Sequence, residues 1–263
     1  MGDLDVIDPG YRVLFDRARQ VLGADSRVRA VSAGGSVGAG RADRWSDLDL
    51  AIVAEPDHYD ALVDDWPAWL ADITPTVFAR TPIAPNIINT VTDEGLTFDL
   101  VVWSGEVPEH RPPAGYPVGF RTNRFDDVTD ALEYAVAEQL RGLTGPFISL
   151  VQREEHLKHL TGVPHIVGLL TTVFLAETGA TPPGKLWNQT FTAEQRAAVA
   201  GLPPVRATRE DIIAFGLAVA RLLIERARPL FTEHDLDWPR ELARVAAQRI
   251  HDQLGIDTTD WLH

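Results

Sequence analysis

Two short stretches in the first fifty residues carry the residue types best suited to chemistry. One is residues 31–36, which end in Gly34-Gly35-Ser36, and the other is residues 46–50, with ten residues between Ser36 and Asp47. The apolar residues before Gly34 predict a buried strand over 28–33, the glycines predict a tight turn, and a helix is expected to begin at Ser36. Backbone N–H groups at such a helix start, together with the Ser36 hydroxyl, suit a phosphate.

The second stretch contains two carboxylates on a predicted strand over 47–53. Asp47 and Asp49 are two positions apart, so both side chains are expected on one face of that strand. Like charges on a half-buried strand are costly unless a cation lies between them. Mg²⁺ is the expected cation because it prefers hard oxygen ligands. A phosphate cradle next to a metal-binding pair predicts a site for a nucleoside triphosphate.

A third carboxylate, Asp99, lies inside the apolar run of residues 96–103, which predicts another strand. An acid at this position is desolvated unless it meets a metal or a hydrogen-bond donor. The alternative interpretation is an Asp at a strand edge that faces water. Together with Asp47 and Asp49, Asp99 predicts a metal site of three carboxylates.

These motifs resemble the nucleotidyltransferase superfamily of DNA polymerase β. The resemblance rests on Gly35-Ser36, the ten-residue spacing, residues 47–50 and the later Asp99. Residues 35–49 look most like its antibiotic-modifying branch, the aminoglycoside and lincosamide nucleotidyltransferases. Relatives often carry Arg where this chain has Ala39, so the resemblance implies that Arg41 or Arg44 makes the corresponding phosphate contact.

The resemblance implies a magnesium-dependent transfer of a nucleoside monophosphate, AMP from ATP, to a hydroxyl of a small molecule. It implies one or two Mg²⁺ ions at three carboxylates: Asp47, Asp49 and Asp99. The residues expected to contact the nucleotide are Gly35, Ser36, Arg41, Arg44, Ser46 and Lys185. For Lys185 the alternative is a solvated surface lysine. Asp99 is either a metal ligand or the general base, and Glu94 is the alternative base.

The composition narrows the function classes. The chain has 263 residues, a net charge of −14 and no cysteine, which excludes disulfides and thiolate-bound zinc. The acidic balance disfavours nucleic acid as a partner and would attract a polycationic acceptor such as an aminoglycoside, although it also simply aids solubility. The N-terminus lacks a secretory signal, and the longest apolar stretch, 166–176, is too short to span a bilayer. A cytoplasmic protein is therefore expected.

Three interpretations of function stay open. The first is an antibiotic nucleotidyltransferase, with an aminoglycoside or, alternatively, a lincosamide or another neutral acceptor. The second is nucleotidyl transfer to a protein or tRNA in a toxin–antitoxin or regulatory setting, for which a basic groove would be expected. The third is a binding module that has lost catalysis, which would be expected to lack one of the three acids.

The predicted fold class is α+β. Residues 1–120 are expected to form a nucleotidyltransferase domain with a mixed sheet and helices on one face, and residues 121–263 a helical bundle that closes over its site. The predicted helices cover 11–22, 58–70, 128–143, 147–160, 164–177, 192–200, 209–226 and 238–254. His156 and His159 are three positions apart, without a clear carboxylate partner, so no zinc site is expected there.

Overall fold

The computed structural model describes residues 4–81, 84–107, 125, 127–180 and 186–262. The chain divides into two compact units, Met1–Pro117 and Val118–His263. The domain boundary predicted after residue 120 lies outside the described residues and stays a prediction.

The first unit is built on a mixed sheet, as the sequence predicts, and this sheet has five strands. The strands are β1 (Val28–Ala33), β2 (Leu48–Ala54), β3 (Thr76–Arg80), β4 (Ile87–Thr92) and β5 (Thr97–Ser104), in the order β1-β2-β5-β4-β3. Only β2 and β5 are parallel, and every other neighbouring pair is antiparallel. A tight turn joins β4 to β5, with Gly95 at φ +86°, a conformation that favours glycine.

The core of this unit lies on one face of the sheet. The helices of the first unit are α1 (Pro9–Gly23), the short α2 (Gly35–Gly38), α3 (Tyr59–Asp64) and α4 (Trp66–Ile73). Alternate strand residues such as Leu50 and Leu100 are fully buried against α1, α3 and α4. Because side chains alternate along a strand, the residues between them project from the opposite face.

The helix predicted over 58–70, with a possible interruption at Pro67, is divided into two helices in the structure. Asp65 separates α3 from α4, and Pro67 occupies the second position of α4. Proline lacks an N–H group and is tolerated in the first turn of a helix, where that group has no intrahelical partner. Pro67 therefore begins a new helix instead of continuing the first.

The described part of the second unit is helical. Its helices are α5 (Val128–Thr144), α6 (Pro146–Gln152), α7 (His156–Thr178), α8 (Trp187–Thr190), α9 (Ala193–Ala200), α10 (Arg209–Glu233) and α11 (Arg240–Leu254). Helix α5 packs against α7, α10 and α11, and α10 also packs against α7. The finer prediction, a helical bundle that closes over the first unit, stays a prediction.

Helix α7 differs from the sequence prediction, which ended one helix at residue 160 and began another at 164. The break instead comes earlier, at Glu154, whose φ of +57° is incompatible with a continuing helix. α7 then continues through Pro164. By length and composition α7 could cross a membrane, although a core helix of a soluble protein meets the same criteria. The apolar stretch 166–176, which by itself is too short to span a bilayer, forms only part of this helix of 23 residues.

Candidate active site

The register of β2 and β5 brings two of the predicted acids together. In this parallel pair Asp49 is the direct partner of Asp99. Neighbouring strands lie about 4.8 Å apart, and paired side chains share a face. Both residues are half-buried, and they lie between fully buried core residues on their strands, so both carboxylates are on the face opposite the core.

Asp47 lies two residues before Asp49, immediately ahead of β2, and its side chain is exposed. Among the described residues, no group of three or more His, Asp or Glu side chains is arranged to hold a metal ion. The described geometry thus provides a carboxylate pair with a third acid at the entrance to its strand. The role of Asp47 as a metal ligand stays a prediction.

The glycine turn packs directly against the Asp49 carboxylate. The Gly34 N–H donates a hydrogen bond of 2.8 Å to the Asp49 carbonyl oxygen. Gly35 has a φ of +51°, and a Cβ atom added there would overlap Asp49 Oδ2 and lie 2.6 Å from its Cγ. Only a residue without a side chain allows this approach. The phosphate cradle predicted from the sequence therefore adjoins the acid pair in space.

Helix α2 is a single turn that the backbone closes tightly. The N–H groups of Gly38 and Ala39 donate to the carbonyl oxygens of Gly34 and Gly35, at 2.6 and 3.2 Å. The first N–H groups of a helix, which include that of Ser36, lack intrahelical partners. These groups suit an anion, as the sequence predicts, and the phosphate contact itself stays a prediction.

The predicted cationic contacts lie in the loop after α2. The Arg41 side chain is exposed, and the backbone N–H of Arg41 donates to the Ser36 carbonyl oxygen at 2.9 Å. Arg44 is also exposed, and its guanidinium carbon lies 4.2 Å from the centre of the Trp45 ring, a cation–π contact. Lys185 lies outside the described residues.

Ser46, predicted to contact the nucleotide, has a structural role in this loop. It is only 4% exposed. Its hydroxyl donates to Asp43 Oδ1 at 3.2 Å and accepts from the Asp43 N–H at 3.0 Å. These bonds fix the chain just before Asp47, so Ser46 orders the entrance to β2. Its contact with a nucleotide stays a prediction.

The two candidate general bases have different environments. Asp99 is half-buried within β5, whereas Glu94 is exposed in the turn that joins β4 to β5. A base inside the strand is held by the sheet and lies beside Asp49. Asp99 therefore suits the role better than Glu94.

The histidine pair of the second unit is placed differently. His159 is buried, and burial lowers its pKa, with nearby His156 contributing in the same direction. The prediction that no zinc site forms at this pair stays a prediction.

Sequence reasoning missed a polar extension of the acid pair. In the antiparallel pair of β4 and β5, Asn89 is the direct partner of Asp99, and Arg80 of β3 is the partner of Asn89. Asp49, Asp99, Asn89 and Arg80 thus form one lateral row across four strands, which we call the polar row. The sequence did contain a signal for this extension: Asn89 is the one amide side chain among residues 87–92, and the other five residues are β-branched.

Solved structures similar to this chain include an aminoglycoside 6-adenyltransferase from Bacillus subtilis, at 10% identity and a TM-score of 0.35, covering 89% of this chain and 95% of that chain. Another is the CdnE cyclic dinucleotide synthase from Elizabethkingia meningoseptica with GTP and Apcpp, at 12% identity and a TM-score of 0.27, covering 94% and 91% respectively. No family model and no curated protein matches the chain. Likenesses at these identities and TM-scores do not assign a function to this chain.

Proposed function

We propose that this protein is a nucleotidyltransferase that transfers AMP from ATP to a hydroxyl of a small molecule. The observation that carries the proposal is the pairing of Asp49 with Asp99, beside a glycine turn that touches the Asp49 carboxylate. An acid pair next to a phosphate-binding turn is the arrangement that handling a nucleoside triphosphate requires.

In the proposed reaction the acceptor oxygen forms a bond to the α-phosphorus of ATP. The bond from that phosphorus to the oxygen bridging to the β-phosphorus breaks, and pyrophosphate leaves. The Asp99 carboxylate oxygen that does not bind metal accepts the proton of the attacking hydroxyl, so that Asp99 fills both roles that the sequence offered. The backbone of Gly35 and Ser36 orients the β- and γ-phosphates, with Arg41 or Arg44 neutralising their charge.

The acid pair fits a divalent cation. Two carboxylates side by side on neighbouring strands, with the Gly35 backbone directly against Asp49, supply the hard oxygen ligands that Mg²⁺ prefers. Asp49 and Asp99 would hold Mg²⁺ through their oxygens, with Asp47 as a further ligand at the strand entrance. When bound, magnesium stabilises the negative charge on the entering and leaving oxygens.

The proposed acceptor is an aminoglycoside-type antibiotic. The net charge of −14 favours encounter with a polycationic small molecule and disfavours nucleic acid. Modification of such a hydroxyl in the cytoplasm would confer resistance to the drug. A lincosamide is the alternative acceptor, and a transfer assay with both classes distinguishes the two.

The test is pyrophosphate release from ATP and Mg²⁺ with a panel of aminoglycosides and lincosamides. Asp49→Asn and Asp99→Asn should each lower the rate by at least about 100-fold, since each removes a proposed metal ligand. Asp93→Asn is the matched control because Asp93 is exposed in the nearby turn, and Glu94→Gln should likewise keep the activity. Near-normal activity of either strand variant, or no release with any acceptor, would refute the proposal.

A further inference from the structure

The second unit contains a cleft between the end of α10 and the start of α11. It has a volume of about 720 Å³, and its lining includes Arg228, Leu236, Trp238 and Arg240. We call it the arginine cleft, after Arg228 and Arg240. Small-molecule sites typically enclose about 300–1,000 Å³ and combine apolar walls with a few polar groups. The proposed nucleotidyl transfer uses none of these residues, so the arginine cleft is a candidate site of its own.

The Arg228 guanidinium is held in place at this cleft by two contacts. Its Nη2–H donates to the Trp261 carbonyl oxygen. Its guanidinium carbon lies 4.5 Å from the centre of the Trp238 ring, a cation–π contact. The ring of Phe231 packs against the same indole, with ring centres 5.1 Å apart. An arginine that is already oriented in this way loses little further side-chain entropy when it binds a ligand.

Arg228 and Arg240 are like charges that line the same cleft. Arg228 is half-buried, and Arg240 is exposed. Burial lowers the pKa of the Arg228 guanidinium, and the positive charge of Arg240 lowers it further. In the part of the chain that the structure describes, neither guanidinium makes an ion pair with a carboxylate. A partly desolvated cation without a counter-charge is unfavourable, so the pair favours a bound anion.

The acids of the cleft do not supply that counter-charge. Glu225 and Asp237 also line it, and both are exposed. Neither carboxylate makes an ion pair among the described residues. Their negative charges oppose a bound anion, so removing one of them should raise the affinity of the cleft for an anion.

We propose that the arginine cleft binds a small organic phosphate, whose phosphate group contacts Arg228 and Arg240. A phosphate monoester carries a charge of about −1.5 to −2 and three acceptor oxygens. It therefore matches two guanidiniums better than the single charge of a carboxylate does. The cleft is larger than a phosphate group, and Leu236 and Trp238 give it an apolar wall for the organic part. Binding there does not depend on the nucleotidyl transfer.

The test is calorimetry on the full chain without divalent metal, using ribose 5-phosphate, inorganic phosphate and acetate as probes. Ribose 5-phosphate should bind most tightly and acetate most weakly. Arg240→Gln should weaken the binding of ribose 5-phosphate by at least about tenfold, the effect of losing one charge-assisted hydrogen bond. Arg228→Gln should do the same. Because Arg228 also contacts Trp261, the exposed Arg240 carries the test if Arg228→Gln fails to fold.

Arg244→Gln is the matched control. Arg244 lies one turn further along α11, pairs with Glu241 at 2.9 Å and does not line the cleft, so this variant should bind ribose 5-phosphate like the wild type. Asp237→Asn should bind it at least as tightly as the wild type. Equal affinity for the three probes, unchanged affinity in Arg240→Gln, an equal loss in Arg244→Gln or weaker binding by Asp237→Asn would overturn the proposal.

Two variants of the first unit separate the arginine cleft from the predicted phosphate cradle. If ribose 5-phosphate binds in the arginine cleft, Arg41→Gln and Arg44→Gln should bind it like the wild type. If its affinity instead falls in these variants and not in Arg240→Gln, the phosphate binds at the glycine turn and the proposal for the arginine cleft is wrong.

Discussion

Alanine at Gly35 would perturb the site through a single carbon atom. Gly35 has a φ of +51°, and the added Cβ would overlap Asp49 Oδ2 and lie 2.6 Å from Asp49 Cγ. Two costs follow. The left-handed backbone conformation costs a residue with a Cβ about 1–2 kcal/mol. In addition, the Asp49 carboxylate must rotate away from its position beside Asp99 to make room for the added Cβ atom.

Two neighbouring glycines separate these costs. Gly40 has a φ of +64° and no atom within 4 Å of an added Cβ, so Gly40→Ala should carry the backbone cost alone. Gly34 has a φ of −104°, and its added Cβ would lie 3.5 Å from the nearest atom, so Gly34→Ala should be nearly neutral. A loss of 1–2 kcal/mol corresponds to a fall in Tm of about 2–8 °C for a chain of this size.

The assays are urea unfolding, the dissociation constant of Mn²⁺ and the rate of pyrophosphate release. We expect Gly40→Ala to lose about 1–2 kcal/mol and Gly35→Ala to lose more, because Gly35→Ala adds the displacement of the Asp49 carboxylate to the same backbone cost. Only Gly35→Ala should lose metal affinity, together with at least about 100-fold in rate, because a displacement of about 1 Å at a reacting centre is enough for that. The reasoning is refuted if Gly35→Ala binds Mn²⁺ and reacts as well as Gly40→Ala does.

Two further predictions concern the second unit. Burial lowers the pKa of His159, so the folded state keeps the ring neutral, and stability should fall as pH drops below the ordinary value of 6.5, by at most about 1.4 kcal/mol per pH unit. His159→Gln should flatten the dependence of Tm on pH between 8 and 5, and substituting the exposed His165 should leave it; an unchanged slope in His159→Gln contradicts this. A Cβ at Gly216 would lie 2.6 Å from Phe147 Cε2, so Gly216→Ala should cost about 1–3 kcal/mol by urea unfolding. At Gly142 no atom lies within 4 Å of an added Cβ, so Gly142→Ala should stabilise its helix by up to about 1 kcal/mol. Equal changes in stability for Gly216→Ala and Gly142→Ala would contradict the packing argument.

The local features of the site are readable in the sequence. The alternation of apolar residues around Asp49 predicts a strand, because side chains alternate between the faces of a sheet. Consecutive glycines predict a turn, because glycine adopts positive φ without strain. Both expectations depend on residues near one another in the chain, and the structure has a turn and strand at these positions.

The rule that a proline ends a helix failed at Pro164, where packing along the helix favours its continuation. The proline at position 164 predicts a helix end, yet α7 continues through it, and the chain breaks at Glu154 instead. A proline removes one intrahelical hydrogen bond, a cost that packing along the rest of a long helix can offset. The sequence contains the proline, but the packing energy of the helix depends on residues far away in the chain.

Tertiary structure alone decided which side chains meet. The pairing of β2 with β5 places Asp49 beside Asp99, fifty residues later, and the pairing of β4 with β5 adds Asn89. A shift of one residue in either register would turn these side chains into the core, so burial of the apolar face fixes the register. The sequence determined which residues could do chemistry, and the packing of the sheet determined which of them lie side by side.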